Sequence, residues 1–467
     1  MELSTSYWKE AAHACQENLL NDLKPLIAIE SVRDDSLATE EAPFGPGPAK
    51  ALHYMLDLAA KDGFDTENVD NVAGVIRYGE GEKILGLLAH LDVVPATGKW
   101  DSPAFEATVR DGRLYGRGTT DDKGPAMACY YALKLLRDAG VQPNCQIHLI
   151  LGTDEESGWE CMERYFTKMP KPDMAFSPDA DFPIINGEKG IMDLPFAFVG
   201  KDRGYDGTLL SFNAGIRTNV VPEDASATVK ALGLKRISYD FQCFLKRYPE
   251  VSGDCDIKDG QVTVHCHGAS AHGMEPEVGV NAATYLAHFL SAYDLGGANK
   301  FVRFLGQTLH RDFYGNDLGI ASHDDIMGDV SVNPGIVRFT NGVGRIVLNI
   351  RYPRSTSMEK ILAKLDAHSF GLKRAEPEHA KPVHYIPADD PLVDTLLTVY
   401  RDHTGQPAQE CSIGGITYAH ILDHGVAFGM TMPDSDVVIH QPNESLVLSD
   451  LESGTAIFAD AIWRLSK

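Results

Sequence analysis

The chain has 467 residues, 43% of them hydrophobic, with 66 acidic against 42 basic side chains and a formal net charge of −24. That length predicts two to four domains, and that hydrophobic share supports sizeable cores. The acidic field argues against nucleic acid or anionic membrane as partners and favours attraction of cations. Residues 1–10 lack the charged and apolar regions of a signal peptide. No apolar run nears transmembrane length, and eight scattered cysteines include no Cys-x-x-Cys pair. Reduced thiols in a cytoplasmic protein are expected.

Helical patterns over residues 8–29 and 49–62 alternate with short apolar strands. The run 84–88 reads as a buried parallel strand and leads into His90 and Asp92. Positions i and i+2 of an extended strand share a face, so this imidazole and carboxylate point the same way. One can then bind a metal while the other takes the second ring N–H. A Gly-rich turn over 116–125 carries Asp121 and Asp122 and opens a helix predicted over 126–139. The strand 147–151 runs into Glu155 and Glu156, the segment 174–178 delivers Asp179, and residues 437–439 deliver His440 into a polar loop. Ligands gather beyond the carboxyl ends of strands in open α/β sheets, and here several strands end in acidic or imidazole groups.

Between these segments the character changes. Residues 187–381 mix strand patterns (194–199, 208–213, 261–267, 345–352) with helical ones (282–293, 358–367), and basic residues cluster there. A helix over 390–404 and a strand over 425–429 follow. Asp179 and His440 lie roughly 260 residues apart, too far for one loop. The fold class expected is α/β: a catalytic domain of residues 1–186 and 383–467, with a mostly parallel sheet flanked by helices. Residues 187–382 form an inserted α+β lid for substrate recognition.

Each candidate has a plain structural reading. Asp121 and Asp122 suit a helix N-terminus, Glu155 and Glu156 a solvated turn, Asp179 an ordinary turn, and His440 a satisfied loop. The joint order and strand-end placement of five ligand positions favour a metal centre instead. His148, His265, His267 and His420 keep the structural reading.

His90-x-Asp92-x-Val94-Pro95, Gly98-x-Trp100, residues 116–125, Glu155-Glu156, Pro178-Asp179, His272 in its Gly-Ala-Ser-Ala-His-Gly run, and His440 occur in this order. Together they resemble the dinuclear-zinc aminoacylase, carnosinase and carboxypeptidase G family. Residues 185–190, 349–353 and 440–444 resemble its dipeptidase V branch, and the likeness spans essentially the whole chain. The resemblance implies two divalent ions per chain, Zn²⁺ first and Mn²⁺ or Co²⁺ tolerated. Asp121 would bridge them, His90 and Asp179 completing one site, Glu156 and His440 the other. Glu155 would be the general base toward a hydroxide shared by the metals, with Asp92 supporting His90 and a cis peptide joining Asp121 to Asp122.

In the insertion, Asn219, His272 and Arg351 match substrate-binding positions of the family. His272 would donate to the oxyanion and Arg351 would hold the terminal carboxylate. Gly414 and Gly415 resemble part of a Gly-Gly-Gly-Thr loop near that carboxylate. Ile416 stands where a third glycine is expected, and a positive φ there would be strained. The implied activity is metal-dependent hydrolysis of unblocked dipeptides of the Xaa-His or β-Ala-Xaa type by a monomer. N-acyl-amino-acid deacylation is the near alternative, and a metal- or peptide-binding protein on the same fold is the non-enzymatic one.

Overall fold

The strand Ile84–His90 is buried at every position, as its uninterrupted apolar run requires when both faces of a sheet are covered. In the computed structural model, which describes residues 3–200, 204–231, 233–368 and 370–467, this strand lies near the middle of a sheet. It pairs in parallel with Gln146–Gly152 on one side and Met174–Ser177 on the other. Gly425–Ala427 adds a further parallel strand, while Ala73–Tyr78 and Asp65–Val69 close the opposite edge antiparallel. The carboxyl ends of the three central strands therefore share one edge of the sheet, where ligands collect in this architecture.

One face of the sheet (Leu85, Leu87, Leu149, Leu151) packs under the helices Thr5–Ile27, Lys123–Asp138 and Leu448–Leu465. The other (Val75, Leu88, Ile150) packs under Glu160–Lys168 and Tyr418. The first helix starts a few residues before the sequence expectation because Ser4 Oγ accepts from the Tyr7 N–H and caps it. The helix at Lys123 also starts early: Pro125 falls within the first turn, where its missing N–H costs nothing. Gly124 is needed there, since a Cβ would stand 2.0 Å from the Thr119 carbonyl oxygen.

These elements belong to one of two units, comprising Met1–Gly187, Ile386–Cys411 and Ile416–Lys467. The other comprises Glu188–Tyr385 and Ser412–Gly415. Among its described residues, Ser252–Lys258, Gln261–His267, Asp224–Ala231, Gly207–Ala214, Ser331–Thr340, Val343–Tyr352 and Gly190–Val199 succeed one another in an antiparallel sheet. Gln261–His267 alternates buried and part-exposed positions, the signature of a sheet covered on one face. The covered face packs Val262, Val264 and Cys266 with Phe241, Leu286 and Phe289, from the helices Leu234–Arg247 and Ala282–Leu290. Asn281 caps the latter by accepting from the Ala283 and Thr284 N–H groups. The chain adopts the expected α/β class. No helix among the described residues is long and apolar enough to cross a membrane.

Candidate metal centre

His90 ends its strand with the imidazole almost fully buried. Nδ1 lies 3.0 Å from the Asp92 backbone carbonyl, which can only accept, so Nδ1 carries hydrogen and Nε2 faces the centre. Asp121 sits between two imidazoles: Oδ1 is 2.9 Å from His90 Nε2 and Oδ2 is 2.8 Å from His440 Nε2. Glu156 Oε1 lies 3.0 Å from His440 Nε2, and Asp179 Oδ2 lies 3.7 Å from His90 Nε2. His90, Asp121 and Glu156 bring ligand atoms within 4.8 Å of one another, as do His90, Glu155 and Asp179. All six side chains that the sequence nominates for the metals and the base are thus brought together. The Asp121–Asp122 peptide is cis.

The electrostatics suit a cation. Burial pushes Asp179 up to about 7, with the Asp121 charge adding to the effect, and burial likewise raises Glu155 and Glu156. Hydrogen bonds to Asp121 and Glu156 raise His440 to about 10. Burial opposes charge on His90, yet Asp121, Asp92 and Asp179 outweigh it and hold the ring well above its usual range. Crowded carboxylates that resist ionising, beside imidazoles recruited as counter-charges, are what divalent cations would relieve. The donors are imidazole nitrogen and carboxylate oxygen without sulfur, a set that fits Zn²⁺.

The remaining candidates lie in the second unit. Arg351, on the strand Val343–Tyr352, donates from Nε to Asn349 Oδ1 at 3.0 Å and from Nη1 to the Gly414 carbonyl at 2.5 Å. Burial draws its pKa down to about 10, with Asp193 opposing. Val220 and His272 form a β-bridge, and the Gly273 N–H donates to the Asn219 carbonyl at 2.7 Å. The Met274 N–H donates to His272 Nδ1 at 3.1 Å, so hydrogen on the neutral ring sits on Nε2. A Cβ on Gly414 would stand 2.8 Å from Met274 Cβ, which joins the two groups of residues into one neighbourhood. Ile416 is absent from the described residues with positive φ, as are Gly414 and Gly415. The loop therefore makes no left-handed demand at 416, and the expected strain does not arise.

Residues 86–464 match the peptidase family M20/M25/M40. The chain belongs to that family. It is 42% identical over 463 residues to the Beta-Ala-Xaa dipeptidase of Lactobacillus delbrueckii subsp. lactis, covering 98% of each chain. Its fold is that of human carnosine dipeptidase 1, at 16% identity and a TM-score of 0.57, with 100% of this chain and 99% of the other covered. The aminoacylhistidine dipeptidase of Vibrio alginolyticus is similar at 14% identity and a TM-score of 0.57, with 96% of each covered.

In this M20 peptidase, several anchoring contacts escaped the sequence reading, although Asp92 and Asp122 themselves were named by it. The Asp92 carboxylate accepts from the Glu155 and Glu156 N–H groups at 3.0 and 3.1 Å, while its backbone carbonyl orients His90. The expected buttress thus comes from the backbone, the nearer carboxylate oxygen lying 3.5 Å from Nδ1. Asp122 makes no cap for its helix and accepts from the His90 N–H at 2.9 Å instead. Glu444 accepts from the N–H groups of Gly118, Thr120 and Asp121 and pairs with Arg117 at 2.5 Å. Glu444 stands in the 440–444 motif, the one sequence signal that singles it out. Tyr418 packs edge-on against His90 with ring centroids 6.3 Å apart.

Proposed function

We propose that this peptidase is a two-metal dipeptidase acting on unblocked dipeptides of the Xaa-His and β-Ala-Xaa type. The observation that carries the reading is Asp121, whose two carboxylate oxygens face one imidazole each at 2.9 and 2.8 Å. In this reading His90, Asp121 and Asp179 hold one divalent cation, and Asp121, Glu156 and His440 hold the other. Zn²⁺ is the assignment, with Mn²⁺ and Co²⁺ as substitutes. Bound ions of this kind supply Lewis acidity to a peptide carbonyl and acidify water.

The chain's own groups do the rest. Glu155 takes a proton from the attacking water and delivers it to the amine nitrogen as the C–N bond breaks. Asp92 fixes the backbone that aims Glu155 and Glu156. His272 donates to the oxygen of the tetrahedral intermediate, a role that its Nε2 hydrogen supports. Arg351 binds the terminal carboxylate, and Asn219, Gly414 and Gly415 help to seat the peptide. The relative named Beta-Ala-Xaa dipeptidase supports the substrate class. We assign residues 187–382 to a substrate-recognition lid, and the active species to a monomer. We place it in the cytoplasm, a setting supported by the lack of any disulfide among the described cysteines.

The test is a substrate panel on the metal-loaded protein: free dipeptides including β-Ala-Xaa, N-acetylated amino acids, and tripeptides. Free dipeptides should be cleaved best. Preference for N-acetyl amino acids would make the protein a deacylase, and full metal content without turnover would make it a binding protein.

A further inference from the structure

Behind Arg351 runs a chain of buried polar side chains. Asp193 accepts from Thr218 Oγ1 at 2.8 Å with one oxygen and from Asn349 Nδ2 at 2.7 Å with the other. Asn349, only 2% exposed, accepts in turn from Arg351 Nε on its Oδ1 at 3.0 Å. A carboxylate can only accept, so Asp193 dictates that the amide presents its NH₂ inward and its oxygen to the guanidinium. On the same side, Asn333 Nδ2 donates to the Thr218 and Val220 carbonyls at 2.9 and 3.0 Å, gripping the loop on both sides of Asn219.

The identity of the group touching Arg351 matters. A carboxylate in that place would form a charge-assisted pair and use up much of the attraction that a ligand's own carboxylate needs. Asn349 is neutral. It fixes the direction of the guanidinium while the balancing charge, on Asp193, stays one side chain further back. Arginine has five N–H donors, and the two bonds to Asn349 and Gly414 use one each from Nε and Nη1. Orientation is thereby separated from neutralisation.

We propose that Asn349, held by Asp193, makes Arg351 selective for an anionic end group, both acting as positioning residues that keep the guanidinium aimed but uncompensated. This rests on the reading of Arg351 as partner of the substrate carboxylate. The metal-loaded enzyme is assayed with one good unblocked dipeptide and with its C-terminal amide, and the ratio of kcat/KM, acid over amide, is compared across variants. Wild type should favour the acid strongly, and Arg351→Ala should abolish the preference.

Asn349→Asp, made together with Asp193→Asn so that an amide donor and not a second carboxylate faces it, keeps the size of the side chain and the bond to Nε, yet should cut the ratio by about tenfold or more. The loss should appear as a higher KM for the acid, with kcat/KM for the amide within about threefold of wild type. Asp193→Asn alone frees the 349 amide to turn its NH₂ toward Arg351, which loses the acceptor at Nε and with it the aim of the guanidinium, and this loss of aim should also lower the ratio. It carries the test alone if circular dichroism shows the double variant unfolded. A wild-type ratio in the folded variants, or equal loss on acid and amide, overturns the proposal. If Arg351→Ala itself retains the preference, it is the assignment of Arg351 that fails.

Discussion

Glu155 and Glu156 leave the strand Gln146–Gly152 as neighbours, and Asp92 takes the N–H of each. Their side chains then part: Glu156 reaches His440 at 3.0 Å, and Glu155 stands with His90 and Asp179. On this account Glu155→Gln removes a base and no ligand. Metal content should stay near that of the wild type while turnover falls about 10²-fold or more. Elemental analysis and an initial-rate assay on the same preparation check it, and normal turnover at full metal content would refute the role. His90, Glu155, Glu156 and Asp179 were legible because they lie at or just beyond strand ends, a position fixed by local apolar patterning. The groups that aim them were not. Glu444 accepts from Gly118 across 326 residues of chain, and Asp122 serves the His90 N–H across 32. An acceptor for a distant backbone N–H leaves no spacing or periodicity to read.

At the scale of elements, the three central parallel strands were readable from continuous apolar runs, and their shared edge explains why His90, Glu155, Glu156 and Asp179 meet. Helix ends were less readable, since the Ser4 cap and a first-turn proline moved two of them by a few residues. His440 arrives on no strand: its segment is irregular, and its φ is +60°. What ties that segment to the Asp121 turn is Glu444, whose backbone carbonyl accepts from Gly116 at 3.0 Å and whose carboxylate serves three further N–H groups. Arg117 and Glu444 are both buried to 1% exposure or less. Glu444→Gln leaves the guanidinium charge buried without its partner, which should cost about 3–5 kcal/mol of stability. Denaturant unfolding of the metal-free protein measures this. A loss below about 1 kcal/mol would show that the pair is not what holds the turn.

At the scale of the whole chain, the change of character after residue 186 was visible because buried parallel runs give way to alternating antiparallel strands. The return of Ser412–Gly415 to the second unit was not visible, because it rests on contacts distant in sequence: Ser412 Oγ donates to the Ile326 carbonyl, the Lys189 N–H to the Ile413 carbonyl and Arg351 to the Gly414 carbonyl. The proposed monomer predicts that mixing inactive Glu155→Ala and His272→Ala proteins restores no activity, since each chain would use its own His272. Recovered turnover would show exchange between chains. The most direct test of the two-metal dipeptidase is reconstitution. Protein stripped with a chelator should fail to hydrolyse a β-Ala-Xaa dipeptide, and Zn²⁺ titrated back should restore turnover up to a plateau at two equivalents per chain. Turnover that survives stripping, or a plateau in both binding and activity at one equivalent, would contradict it.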